Sequence, residues 1–386
     1  MLPTVLISLA FALEARAILL VPELTGPYKV GTTVLELVDY SRQDPFAPTP
    51  QPRDLVISLF YPTETHVKNC TLAPQFPPAT AAALDVVINA TRLAGTFTTR
   101  SCLGSPLSRP GLPLLFLGPG QGNPRLLYSD MAEEIASHGW NVVTVDHPYD
   151  GLIVEYPDGR TVVASDSTKA NLTDEESLPD YLDARVKDIR FVLDSLSNSS
   201  VTSRIPGLAC PSSSPNSNTH KFPQLKLRTD KVGVFGHSFG GAAALQLLKD
   251  DKRFYAGADL DGGVYGTVVQ EGTDSPFLYL RRPDHTHITD PTWAAAWPNL
   301  RGFKREYSVN GTQHGSFTDL PVFSDLVGDQ GLGQFSGQEG TIETARIFAI
   351  ETAFLGALFD RFLKGHGGEL LDGKGLDSWP EVTLEN

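Results

Sequence analysis

The sequence predicts an α/β fold with a mostly parallel central sheet and helices on both faces. Three observations predict it. First, short apolar runs recur at 112–117 (LPLLFL), 141–146 (NVVTVD), 231–236 (KVGVFG), 254–260 (FYAGADL) and 276–281 (PFLYLR). Parallel strands buried on both faces read as such runs. Second, helical stretches alternate with them. Leu182, Val186, Ile189, Leu193 and Leu196 stand at helical spacing within 178–197. Third, a Gly-rich turn joins the strand at 231–236 to a small-residue helix at 240–249.

The remaining elements follow in order. Residues 32–38 (TTVLELV) and 54–61 (DLVISLFY) read as strands of a hairpin-like start across the Pro-rich loop 45–53. The stretch 62–111 is rich in Pro, Ala, Thr and Ser, and reads as an excursion over the surface with one helix around 79–92. A helix at 125–138 follows the 112–117 strand. A Ser/Asn/Pro-rich loop fills 197–225, and 303–309 (FKREYSV) reads as the last strand. In 341–364, Ile342, Ala345, Phe348, Phe354, Leu358 and Phe362 lie on or near one face of a long helix. No internal repeat or clean linker interrupts the chain.

The first residues point to a compartment. VLISLAFAL (5–13) is apolar apart from Ser8. It is shorter than the roughly 20 residues of a membrane span and fits the core of a secretory signal. Ala15-Arg16-Ala17 supplies the cleavage pattern, so 1–17 is expected as a signal peptide and 18–386 as one catalytic domain. Five N-x-Ser/Thr sequons, at Asn69, Asn89, Asn171, Asn198 and Asn310, fit a glycosylated extracellular protein. Cys70, Cys102 and Cys210 allow one disulfide. Cys70–Cys102 is expected, because it would close a single local insertion.

Composition excludes some classes. The apolar share of 41% is that of a globular chain rather than a disordered one. The 31 Lys and Arg against 45 Asp and Glu give a net charge of −14. That balance opposes nucleic acid, which needs basic stripes, and tight docking on anionic membranes. No later stretch is apolar enough for an integral membrane segment.

The chemistry gathers around Gly236-His237-Ser238-Phe239-Gly240, a G-x-S-x-G. The strand residues Val232, Val234 and Phe235 precede it, and the helix residues Gly241, Ala242, Ala243 and Ala244 follow. This is the strand–elbow–helix setting of an α/β-hydrolase nucleophile. A serine hydroxyl needs a base, and the base should come late in the chain. His314, in Gly311-Thr-Gln-His-Gly-Ser-Phe, fits that place. His220 comes before the nucleophile and His366 beyond the last helix, while His285 and His287 remain rivals.

The acid should fall between Ser238 and His314 in chain order. Asp259, Asp261 and Asp284 compete, and the pattern leaves Asp261 and Asp284 open. Two N–H donors are needed for the oxyanion. Phe239, directly after the nucleophile, is one, and Gln121 in the Gly-rich loop 118–122 is the other. His147 and Tyr149 follow the 141–146 strand and are open as pocket residues, whereas Trp140 reads as core.

These residues resemble the platelet-activating factor acetylhydrolases, and most closely their fungal secreted branch. The matching stretches are GPGQGNPRLLYS (118–129), ASHGW (136–140), GHSFGG (236–241), LDGG (260–263) and QHGSF (313–317). The most specific are LYSDMAEEIASHGWNVVTVDHPYDG (127–151) and SFTDLP (316–321). The resemblance covers most of 25–365, with 62–111 and 197–225 poorly matched. It implies Asp261 as the acid and supports Gln121 and Phe239 as oxyanion donors. It also implies a metal-independent enzyme without a cofactor, releasing short acyl chains from the sn-2 position of phospholipids. Animal members carry a hydrophobic docking surface that this sequence does not display. A secreted polyester or cutin-type hydrolase would use the same triad. A non-catalytic binding protein on a hydrolase scaffold is disfavoured by the intact Ser238, His314 and Asp261.

Overall fold

The computed structural model describes residues 17–164, 176–208 and 226–385. Residues 1–16 of the expected signal, Asn171, Cys210, His220 and 209–225 of the polar loop lie outside the described residues. The strands are β1 (Leu19–Leu20), β2 (Lys29–Gln43), β3 (Pro52–Thr63), β4 (Leu72–Pro74), β5 (Phe97–Leu103), β6 (Pro113–Gly118) and β7 (Asn141–Asp146). They continue as β8 (Val154–Glu155), β9 (Thr161–Val162), β10 (Arg228–His237), β11 (Phe254–Leu260), β12 (Phe277–Arg281), β13 (Lys304–Val309) and β14 (Val382–Leu384). The helices used below are α1 (Pro78–Val87), α2 (Ser129–Ser137), α3 (Leu178–Leu196), α4 (Phe239–Asp250), α5 (Leu320–Val327) and α6 (Thr344–Phe359).

One sheet runs in the order β1-β5-β2-β3-β7-β6-β10-β11-β12-β13-β14, with β4 on β5. The pairs from β7 through β6, β10, β11 and β12 to β13 are all parallel. β3 is antiparallel to both neighbours, β2 and β7. β8 and β9 form a separate two-stranded hairpin.

The apolar runs work as two-sided strands. In β6, Leu115 and Leu117 enter one core while Leu114 and Phe116 enter the other. In β10, Phe235 faces the first core and Val232 and Val234 the second. Met131 and Ile135 of α2 and Ile347, Ile350, Phe354 and Leu358 of α6 cover the first face. α3 covers the second with its predicted stripe, Leu182, Val186, Ile189, Leu193 and Leu196, together with α4. Full burial of one such side chain contributes about 1.5–3 kcal/mol. Trp140 is core as expected, edge-on to Phe359.

One expectation needs correction. Residues 62–111 are not a surface excursion. β5 pairs parallel to β2 and extends the sheet. Phe97 packs with Phe76 and Phe323, and Cys102 is fully buried and disulfide-bonded to Cys70. The polar residues that suggested a surface are satisfied inside. Thr99 donates to the Ala73 carbonyl, and Ser101 donates to Glu133 Oε2 at 2.6 Å.

The topology fixes where chemistry can occur. From β6 the chain passes to β7 on one side of the sheet and later returns as β10 on the other. At such a switch point the loops beyond the C-terminal strand ends part and leave a crevice. The loop after β6, Ser238 after β10, Asp261 after β11 and the turn at His314–Phe317 after β13 all lie on this edge. Among the described residues, no helix is long and apolar enough to cross a membrane.

Candidate active site

Ser238 sits between β10 and α4 with φ +56° and ψ −125°. A non-glycine residue holds such a conformation only under constraint from its surroundings. The constraint is close packing. A Cβ on Gly236 would collide with the Gly240 backbone, and one on Gly240 with the Gly118 backbone. Both positions must be glycine for the strand, the helix and the β6 loop to meet.

Ser238 and His314 line one cavity of about 170 Å³ with Gly120, Gln121, Leu127 and Phe335 among its walls. A larger cavity of about 490 Å³, bounded by residues of β2, β3 and the 155–159 turn, contains none of these groups. The Phe239 N–H begins α4, so the helix ladder does not consume it. Among the described residues, the buried Gln121 side-chain nitrogen has no hydrogen-bond partner.

The three acid candidates separate by geometry. Asp261 Oδ2 lies 2.7 Å from His314 Nδ1. Asp284 is 80% exposed and is paired with Arg282 instead. Asp259 Oδ1 accepts from the Gly262 N–H, and burial pushes its carboxyl well above the usual range. Asp261 takes φ +57°, which turns it away from the strand direction. Burial pushes its carboxyl up, but hydrogen bonds from His285 and His314 outweigh this and hold it below the ordinary range.

The rival histidines do not line the cavity of Ser238. His285 bridges Asp261 and Asp290, His287 pairs with Glu306, and His366 is exposed beyond α6. His147 and Tyr149 do not line the cavity. His147 Nδ1 lies 2.9 Å from Asp188 Oδ2, and the Tyr149 hydroxyl accepts from Gln51. Their pull is toward a buried cluster in which Arg53 pairs with Asp44 and Asp188.

Several residues of the site escaped sequence reasoning. Tyr128 Oη accepts from the Gly120 N–H at 2.9 Å and lies 2.8 Å from His237 Nδ1. His237 Nε2 is 2.9 Å from the His314 carbonyl. Burial, then repulsion from His314, keeps the His237 ring well below its ordinary pKa and therefore neutral. Arg185 pairs with Asp150 and donates to the carbonyls of Pro119 and Gly120, holding the β6 loop from below. The signal in the sequence is position, since Tyr128 and Asp150 fall within the most specific matching stretch and His237 within the G-x-S-x-G.

Comparison with known proteins agrees with this architecture. The family described as "Platelet-activating factor acetylhydrolase, isoform II" matches residues 14–358. The chain is 30% identical to the "Probable 1-alkyl-2-acetylglycerophosphocholine esterase" of Arthroderma benhamiae, over 98% of this chain and 97% of that one. It is 24% identical to the platelet-activating factor acetylhydrolase of Cavia porcellus, over 84% and 73% respectively. Among solved structures, a ferulic acid esterase from Streptomyces cinnamoneus superposes with a TM-score of 0.78 at 32% identity, covering 96% of this chain and all of that one. These matches share one enzyme class, and the chain is a carboxylic ester hydrolase. By the extent of the family match and of the Arthroderma relative, the chain belongs to the platelet-activating factor acetylhydrolase family of the isoform II type.

Proposed function

We propose that this chain is a secreted serine esterase that removes short acyl groups from glycerophospholipids of the 1-alkyl-2-acetylglycerophosphocholine kind. The observation that carries this reading is the Asp261–His314 pair at 2.7 Å, on the rim of the cavity that holds Ser238 at its strained elbow. Ser238 Oγ attacks the ester carbonyl as His314 takes its proton. Asp261 holds the imidazole and stabilises the imidazolium. The N–H groups of Gln121 and Phe239 receive the oxyanion. Collapse expels the alcohol, which takes the proton back from His314. Water then attacks the acyl-enzyme by the same route and releases the acid.

The fungal relative's name supports the phospholipid substrate. The small cavity supports a short acyl group. The Streptomyces neighbour, at 32% identity, favours a second reading, an esterase of aromatic acids. Secretion is supported by the apolar run at 5–13 and by the Cys70–Cys102 disulfide, a bond of oxidising compartments. The sequons at Asn69, Asn89, Asn198 and Asn310 are exposed, as glycan attachment requires.

Ser238→Ala with p-nitrophenyl acetate tests the mechanism. A loss of roughly 10³-fold or more in kcat/KM is expected. Turnover within about tenfold of the parent sinks the assignment. A panel of 2-acetyl phospholipid, long-chain phospholipid, feruloyl ester and polyester film then ranks the substrate readings.

A further inference from the structure

We propose that His285 is a positioning residue of this site, a protonated imidazole that clamps the Asp261 carboxylate through the oxygen that His314 does not use. The inference rests on the reading of Ser238, His314 and Asp261 as nucleophile, base and acid.

His285 Nδ1 lies 2.9 Å from Asp261 Oδ1, and Nε2 lies 2.8 Å from Asp290 Oδ2. An ionised carboxylate can only accept. Asp261 is fixed as an anion by other donors. Oδ2 accepts from His314 and from Arg282 Nη1 at 2.8 Å, and Oδ1 accepts from the Arg282 backbone N–H at 3.2 Å. Asp290 is fixed likewise. Its Oδ1 caps the following helix, accepting from the N–H groups of Thr292 and Trp293 and from the Thr292 hydroxyl. Each His285 nitrogen therefore faces an acceptor, and each must carry a proton. An imidazole with two N–H groups is a cation. Its ring stacks on Trp293 at 4.8 Å and 29°, a face that suits a cation. The carboxylates outweigh burial and push its pKa up to about 9.

The charged and titratable groups around this ring come from several elements. Arg282, Asp284 and Asp290 lie on the loop after β12, Asp259 and Asp261 at the end of β11, and His314 after β13. Asp261 thus has two cations, Arg282 and His285, besides the base it orients. The arrangement fixes the carboxylate of a residue whose backbone is itself at φ +57°. It also has a signed electrostatic consequence. A cation beside the pair opposes protonation of His314. Removing that cation favours the imidazolium formed during turnover and displaces the acid side of the activity profile.

The test is His285→Gln, which keeps one N–H donor and loses the charge. On p-nitrophenyl acetate we expect kcat to fall about tenfold with KM within about threefold, as for supporting groups that orient a catalytic ligand. The acid limb of kcat/KM should move up by about half a pH unit or more. An unmoved acid limb overturns the proposal, whatever happens to kcat, because a merely structural role would leave the limb in place. Should the variant fail to fold, the parent decides the question. In ¹⁵N-histidine-labelled protein at pH 7.5, both His285 ring nitrogens should resonate as protonated, and a deprotonated ring nitrogen overturns the clamp. This measurement needs no turnover, so its failure is distinct from a failure of Ser238→Ala to abolish activity.

Discussion

The Tyr128 hydroxyl and His237 Nδ1 stand 2.8 Å apart, and this bond ties the loop after β6 to the strand that carries Ser238. Its direction follows from the other partners. Tyr128 Oη already accepts from the Gly120 N–H and from Asn123 Nδ2, both at 2.9 Å. Its single proton therefore goes to His237 Nδ1. His237 must then carry its own proton on Nε2, which donates to the His314 carbonyl. One chain of hydrogen bonds joins the Gly120–Gln121 loop, the Ser238 elbow and the His314 turn. Tyr128→Phe removes its centre and strands the buried Gly120 N–H. We expect a stability loss of about 1–3 kcal/mol by urea unfolding and a kcat loss of ten- to hundredfold. A kcat equal to the parent's would show that the Gly120–Gln121 loop holds its geometry without Tyr128.

Arg185 supports the same loop from the second face of the sheet. Its guanidinium pairs with Asp150 and donates to the carbonyls of Pro119 and Gly120, all four groups being buried. Arg185→Met leaves Asp150 as an unpaired buried charge, which costs about 3–5 kcal/mol. Arg185→Lys restores charge without the planar fork. Urea midpoints should recover partly in the Lys variant, while kcat stays low in both. Full recovery of kcat by Lys would mean that charge, not the paired donation to two carbonyls, holds the Gly118–Gly122 loop in place.

The parts legible in the sequence are those that depend on neighbours in the chain. The Ser238 elbow could be read because an apolar strand, two glycines and an alanine-rich helix adjoin it. α3 could be read because its buried stripe repeats every three to four residues. The acid could not be chosen from pattern. Asp261 and Asp284 both follow strands, and only the positive φ of Asp261 turns its carboxylate to His314 while Asp284 points to solvent. β5 is not legible in the sequence because its alternating residues include Thr99 and Ser101, which look exposed until Ala73 and Glu133 are brought beside them. His285 competes as a base in the sequence because residue type alone does not show what each ring nitrogen faces.

One side of the cavity of Ser238 is closed by a thin wall. Leu127, Leu320 and Phe335 line the cavity of Ser238, and the same three residues line an apolar space walled by Phe76, Phe97, Phe323 and Leu332. Truncating the wall should join the two spaces. Each methylene that then leaves water gains about 0.8 kcal/mol, or roughly fourfold in kcat/KM. Phe335→Ala should therefore move the optimum along a p-nitrophenyl ester series from acetyl toward butyryl and hexanoyl. An unchanged profile would mean that the acyl chain leaves the site in another direction.

His285 also links folding to pH. Its pKa is pushed up to about 9 from an ordinary 6.5, so the folded chain binds this proton more tightly than the unfolded chain. The stability it contributes is fully present below about pH 6.5 and is lost as pH rises through about 9. Asp261 and Asp290 are shifted the other way, below the ordinary 3.8. Their contribution is present above that value and is lost as pH falls through their folded values. The clamp's contribution to stability is therefore complete between roughly pH 4 and 6.5, and its alkaline decay belongs to His285 alone. Thermal unfolding of the parent and of His285→Gln at pH 6 and pH 9.5 isolates that decay. The parent's Tm should fall further between the two pH values than the variant's, because only the parent has this proton to lose. Parallel falls would show that the ring between Asp261 and Asp290 is not a folded-state cation.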